Sequence, residues 1–123
     1  MTTLTYANDA PRVRLREGKS HRILVQTASL LVEEIFFDTG ISSEPHAHDE
    51  EQAAYHVAGR FEVDLGGGTI TVGPGDGYSI PRKAPHSVRC LEGGSYILVS
   101  SMVSTSHDRD PDHGHEDPAS NHT

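Results

Sequence analysis

The chain has 123 residues, enough for one domain that buries about two-thirds of its unfolded surface. Its net charge is −8, half of it carried by residues 105–123, and the absence of a basic patch argues against nucleic-acid and anionic-membrane partners. The single cysteine, Cys90, excludes an intrachain disulfide framework and fits a reducing compartment, and no apolar run approaches the ~20 residues needed to span a bilayer.

In chain order, residues 1–11 read as an N-terminal arm without the basic and apolar regions of a signal peptide, which sets the expectation of a soluble, cytoplasmic protein. Arg12 to Arg16 alternates charged and apolar side chains, the pattern of a half-exposed strand. After the turn Glu17-Gly18-Lys19-Ser20, residues 21–27 and 30–37 predict two strands rich in Ile, Val, Leu and Phe. Asp38-Thr39-Gly40 breaks the second, and residues 44–48 predict another strand, ended by the polar corner Asp49-Glu50-Glu51. Residues 52–57 and 60–65 follow, separated by Ala58-Gly59, and Gly66-Gly67-Gly68 is a hairpin turn leading to a strand over 69–72. Gly73-Pro74-Gly75-Asp76-Gly77 is the strongest turn signal; strands over 78–81, 86–91 and 95–103 complete the set. About ten short strands without a helix predict an all-β sandwich or barrel over residues 12–103. Residues 104–123 lack apolar periodicity and mix His107, His113, His115 and His122 with acids, so they predict a disordered tail.

The chemistry concentrates in Glu44-Pro45-His46-Ala47-His48-Asp49-Glu50-Glu51-Gln52. On an extended segment, residues i and i+2 share a face, so His46 and His48 can converge on one ion, and Gln52 has the same parity. His86 supplies a third imidazole from a distant segment. Three imidazoles and an amide oxygen form a donor set for one divalent transition metal such as Zn, Ni, Mn or Fe. Glu50 shares the parity and is a candidate ligand or base. His56, two strand positions beyond Ala54 on that face, is a candidate proton shuttle or an interior histidine satisfied by a neighbour. Tyr78 and Cys90 are candidates for the pocket lining, and Arg60 and Arg89 for a substrate carboxylate or a solvated face.

These motifs resemble those of the cupins. Gly40, His46-x-His48, Gln52 and Gly59 fall at the spacing of the first cupin motif, and Gly75, Pro81 and His86 at that of the second. The resemblance covers about residues 20–103 and implies a double-stranded β-helix, or jelly roll, with a metal inside the barrel; it also implies a homodimer. The sequence departs from the pattern at Gln52, where the family has Glu, at Lys83, where it has Gly, and at Cys90, where it has Asn. Glu51-Gln52-Ala53-Ala54-Tyr55 is similar to the small cupins of pectin degradation, which ketonise unsaturated uronates and use this Gln as a ligand. Their Asp-x-Phe-Ser-Pro segment is replaced here by Ser100-Ser101-Met102-Val103-Ser104. Neutral ligands leave a divalent ion its full double charge, which favours Lewis-acid chemistry on a small oxygenated metabolite such as a sugar acid, of isomerase, tautomerase or lyase type. A three-histidine iron dioxygenase and a non-catalytic ligand-binding module are the alternatives.

Overall fold

The computed structural model describes residue 2 and residues 4–102. The tail expected over 104–123, with its histidines, lies outside them. After a short 3₁₀ turn at Ala7–Asp9, seven strands follow: β1 (Val13–Arg16), β2 (Lys19–Gln26), β3 (Leu30–Phe37), β4 (Gln52–Asp64), β5 (Thr69–Val72), β6 (Gly77–Ile80) and β7 (Ser87–Ser101). All pairings are antiparallel, in the order β1-β2-β3-β7-β4-β5, with β6 also on β4. No helix among the described residues is long and apolar enough to cross a membrane.

Two long strands turn this one sheet into a barrel. The first part of β4 pairs with β6 and the last part with β5. The second half of β7 pairs with β3, while β7 follows β4 along its length. The bend lies where the β4–β7 register shifts, between His56 and Phe61. There Gly59 adopts φ 82°, and a Cβ on Gly94 would run into the Ala58 carbonyl. An extra residue in a ladder bends the strand and changes which face a given parity occupies. Accordingly Gln52, Ala54 and His56 are buried before the bulge, and Phe61 and Val63 after it. The architecture is the all-β jelly roll, or double-stranded β-helix, expected from the sequence.

Two pairs of predicted strands are therefore single strands: 52–57 with 60–65 is β4, and 86–91 with 95–103 is β7, as far as it is described. The glycines between them bend the chain without ending the ladder. The strand expected over 44–48 does not form. Residues 40–46 instead run beside the first half of β7, through Gly40 N–H to the Cys90 carbonyl (2.9 Å), Ser43 N–H to the Val88 carbonyl (2.8 Å) and a two-bond bridge between His46 and His86. Pro45 has no N–H to donate, so the ladder is interrupted there.

The core is Ile35, Phe37, Ala54, Phe61, Val63, Val72, Val88, Cys90, Tyr96 and Leu98. Phe61 is fully buried and meets Phe37 edge-on at 5.7 Å. Removing such a ring from water stabilises by roughly 2–3 kcal/mol. Cys90 is part of this core, its thiol donating toward the Phe37 and Glu92 carbonyls, and burial pushes that thiol up; it acts as a small filler.

Candidate metal centre

The bridge between His46 and His86 brings the two sequence motifs together. His46, His48 and His86 each offer a ring nitrogen within 4.8 Å of the others. Their orientation is fixed from behind. Nδ1 of His46 donates to the Glu44 carbonyl at 2.6 Å, and Nδ1 of His86 to the Ala84 carbonyl at 3.1 Å. With Nδ1 protonated, Nε2 carries the lone pair of each ring. The His48 loop is held by Lys83 N–H, which donates to the His48 carbonyl at 2.5 Å. Lys83 adopts φ 63° to do so, the left-handed conformation that explains why the motif places Gly there.

Gln52 opens β4 and is buried. Its Nε2 donates to Ser100 Oγ at 3.0 Å, an interaction that assigns the amide orientation and leaves Oε1 as a free acceptor. The Nε2 atoms of His46 and His48 and Oε1 of Gln52 are buried and unpartnered. Buried polar atoms without partners are costly and uncommon. Here they are all acceptors, which a cation satisfies and an apolar filling does not. Electrostatics agree. Burial, reinforced by His46, pushes His48 below the usual imidazole range, and burial with the neighbouring His46 and His48 pushes His86 down to about 4. The rings of His48 and His86 are thus held in the neutral form, the one that binds metal. The residues present fit one divalent ion.

The pocket holds about 320 Å³, open solvent at its mouth included. His46, His86, Gln52 and Ser43 line it together with Tyr78, Tyr96, Ile80, Val88 and Leu98. A few polar groups on a mostly apolar wall are the usual composition of a small-molecule site.

The other candidates separate. His56 is fully buried behind Tyr78, with Nε2 and the Tyr78 hydroxyl 3.0 Å apart and its ring stacked on Tyr96 at 4.8 Å. Burial, opposed by the charge of Asp76, brings it down to about 4. It meets the pocket wall from behind, through Tyr78 and Tyr96, and burial pushes the Tyr78 phenol up. Glu50 is half-buried in the bend before β4 and belongs neither to the histidine cluster nor to the pocket wall. Arg60 and Arg89 are exposed and pair with Glu92 (3.5 Å) and Glu62 (3.6 Å), a solvated face. Sequence reasoning missed Ser100, the partner of Gln52; its parity with Tyr96 and Leu98 on the last strand was the available signal.

Comparisons with known proteins agree with this fold. A family model described as "Cupin domain" matches residues 34–101. The pectin degradation protein KdgF of Dickeya dadantii is 32% identical over 92 residues, which cover 74% of this chain and 84% of the relative. The structure of KdgF from Halomonas sp. superposes with a TM-score of 0.79 at 26% identity, covering 87% of this chain and 99% of the other. The polyketide cyclase RemF from Streptomyces resistomycificus gives 0.75 at 23% identity, with 84% and 81% covered, and shares the fold.

Proposed function

The chain belongs to the cupin domain family, and from that premise we propose that it is an enzyme that holds one divalent transition metal on His46, His48, His86 and Gln52 and ketonises an unsaturated or enolic sugar acid. The observation that carries this reading is the trio of buried, unpartnered acceptors at the histidine cluster, His46 Nε2, His48 Nε2 and Gln52 Oε1. A divalent ion on four neutral ligands supplies an undiminished positive charge that polarises neighbouring substrate oxygens and offsets charge developing on them.

The remaining chemistry belongs to the chain. Tyr78 and Tyr96 bring phenol groups to the wall, and Tyr78 is held by His56, so the pocket offers a positioned hydroxyl to a substrate oxygen. Ile80, Val88 and Leu98 exclude water on the remaining sides and strengthen each polar contact inside. The sugar-acid class is supported by the similarity to the pectin degradation protein and by the Gln52 ligand. The chain is also proposed to form a homodimer through the edge strand β1, where Val13 and Leu15 are exposed.

The test is ketonisation of a 4,5-unsaturated uronate by metal-loaded protein, followed by loss of its ultraviolet absorbance. Activity that chelation removes and added metal restores supports the reading. Metal-loaded protein that leaves the uronate unchanged while consuming oxygen with other substrates overturns it in favour of the dioxygenase.

A further inference from the structure

The inner face of the barrel is laid out in rows beside the histidine cluster, because directly paired residues of an antiparallel sheet share a face. Ile80, Gln52 and Ser100 form the first row, Tyr78, Ala54 and Leu98 the second, and His56 with Tyr96 the third. Tyr78 is therefore a diagonal neighbour of Gln52, about 7–8 Å away and within reach of an aromatic side chain. The pocket runs along these rows: Gln52, Tyr78 and Tyr96 all line it.

What the Tyr78 hydroxyl offers to the pocket depends on the direction of its 3.0 Å bond with His56 Nε2. A neutral imidazole carries one N–H, on Nδ1 or on Nε2. His56 is fully buried, its ring 4.8 Å from both Phe61 and Tyr96, and its Nδ1 has no partner. Asp76, whose charge reaches the imidazole, accepts from Gly73 N–H at 2.8 Å within its own turn. A proton on Nδ1 would be a buried donor with nothing to bind, the rarest kind of unsatisfied group. A proton on Nε2 leaves only an unfilled lone pair at Nδ1, and it makes His56 the donor and the Tyr78 oxygen the acceptor. The phenol O–H then has no protein partner among the described residues and is free to donate in the pocket that its side chain lines. Burial acts in the same sense: it pushes the imidazole down to about 4 and the phenol up, so both groups stay uncharged at neutral pH.

A purely structural role is poorly served by this pair. Phenylalanine in place of His56 would pack on Phe61 and Tyr96 without an orphaned nitrogen, and a buried unsatisfied polar atom costs about 1–3 kcal/mol.

We propose that Tyr78 is a catalytic residue, whose hydroxyl donates a hydrogen bond to the substrate oxygen on which negative charge develops, and that His56 is its positioning residue, donating from Nε2 to the phenol oxygen. This rests on the reading of the pocket as one that ketonises an enolic acid, and names the groups that meet the substrate's oxygen. The hydroxyl keeps its proton throughout; no bond to it breaks. A fixed neutral donor on a mostly apolar wall meets the developing charge without reorganisation at the moment of reaction.

The test uses full-length, metal-loaded protein with a 4,5-unsaturated uronate, and the zinc-loaded form for ¹⁵N NMR. The His56 signals, identified by their loss in His56→Phe, are expected to show a protonated Nε2 and a bare Nδ1. Tyr78→Phe is expected to lose on the order of 10²-fold in kcat with KM and metal content unchanged. His56→Phe should lose about tenfold in kcat alone and nothing further in the Tyr78→Phe background, since it acts only through the hydroxyl. His56→Gln, whose amide N–H still donates, should recover most of that loss, and it replaces His56→Phe if the latter does not fold, the NMR signals then being identified by their loss in it. A proton on Nδ1, or an active wild type whose Tyr78→Phe variant stays within about twofold, overturns this role alone. Equal losses from His56→Phe in both backgrounds overturn the positioning role of His56. A wild type without ketonising activity overturns the proposed function, and this role with it.

Discussion

Ser100 Oγ accepts a hydrogen bond from Gln52 Nε2 at 3.0 Å, and that bond leaves the Gln52 amide oxygen buried and unpartnered in the pocket that His46 and His86 also line. Residues that hold a ligand in place typically matter 10–100-fold for metal affinity, so Ser100→Ala should weaken binding by about tenfold in a competitive chelator titration. Unchanged affinity would mean that the amide is oriented by something else.

Gln52→Glu separates binding from chemistry. A carboxylate is the better ligand for a divalent cation, so metal affinity should hold or rise, while the charge left on the ion is halved. Ketonisation should therefore fall with metal content full. Gln52→Ala should weaken binding itself. If neither variant alters metal content or activity, Gln52 is not a ligand.

Both halves of the three-histidine cluster were legible in the sequence, because the His46-x-His48 pair and His86 each sit in a short motif with its own turn residues. Strand order was not. The β4–β7 pairing joins segments far apart in sequence, and the bulge at Ala58–Arg60 turns one predicted break into a bend. Alternation placed His56 on the inner face correctly, but parity alone could not say that Tyr78 stands between it and the pocket.

His56 makes stability depend on pH. Its imidazole titrates at about 4 in the folded protein against 6.5 when unfolded, so between these values the unfolded chain binds the proton and the folded chain does not. The contribution is fully present above pH 6.5 and is lost as pH falls through 4, by at most about 3 kcal/mol. His48 and His86 act in the same direction. The thermal midpoint of metal-free protein should drop over this window, and His56→Phe should flatten part of the slope. An unaltered slope in the variant would contradict the buried, neutral His56.

Lys83 at φ 63° carries a left-handed conformation that Gly adopts freely. Its exposed ammonium lies 4.0 Å from Asp49, a pair worth little in solvent. Relief of backbone strain should win, and Lys83→Gly should raise stability by a few tenths to about 1 kcal/mol in a denaturant titration. A loss would show that the lysine side chain outweighs the strain.

Strand β1 ends the sheet with Val13 54% and Leu15 39% exposed. Light scattering at micromolar concentration should return a dimer mass, and Val13→Asp with Leu15→Asp should return the monomer. A monomeric wild type would remove the proposed assembly.

The most direct measurement is the metal content of purified protein, by elemental analysis, for wild type, His46→Ala/His48→Ala and a chain truncated after Ser104. About one divalent transition metal per chain is expected in wild type and in the truncated chain, and essentially none in the double variant. Full occupancy in the double variant, or metal that disappears with residues 105–123, would contradict a centre built on His46, His48, His86 and Gln52.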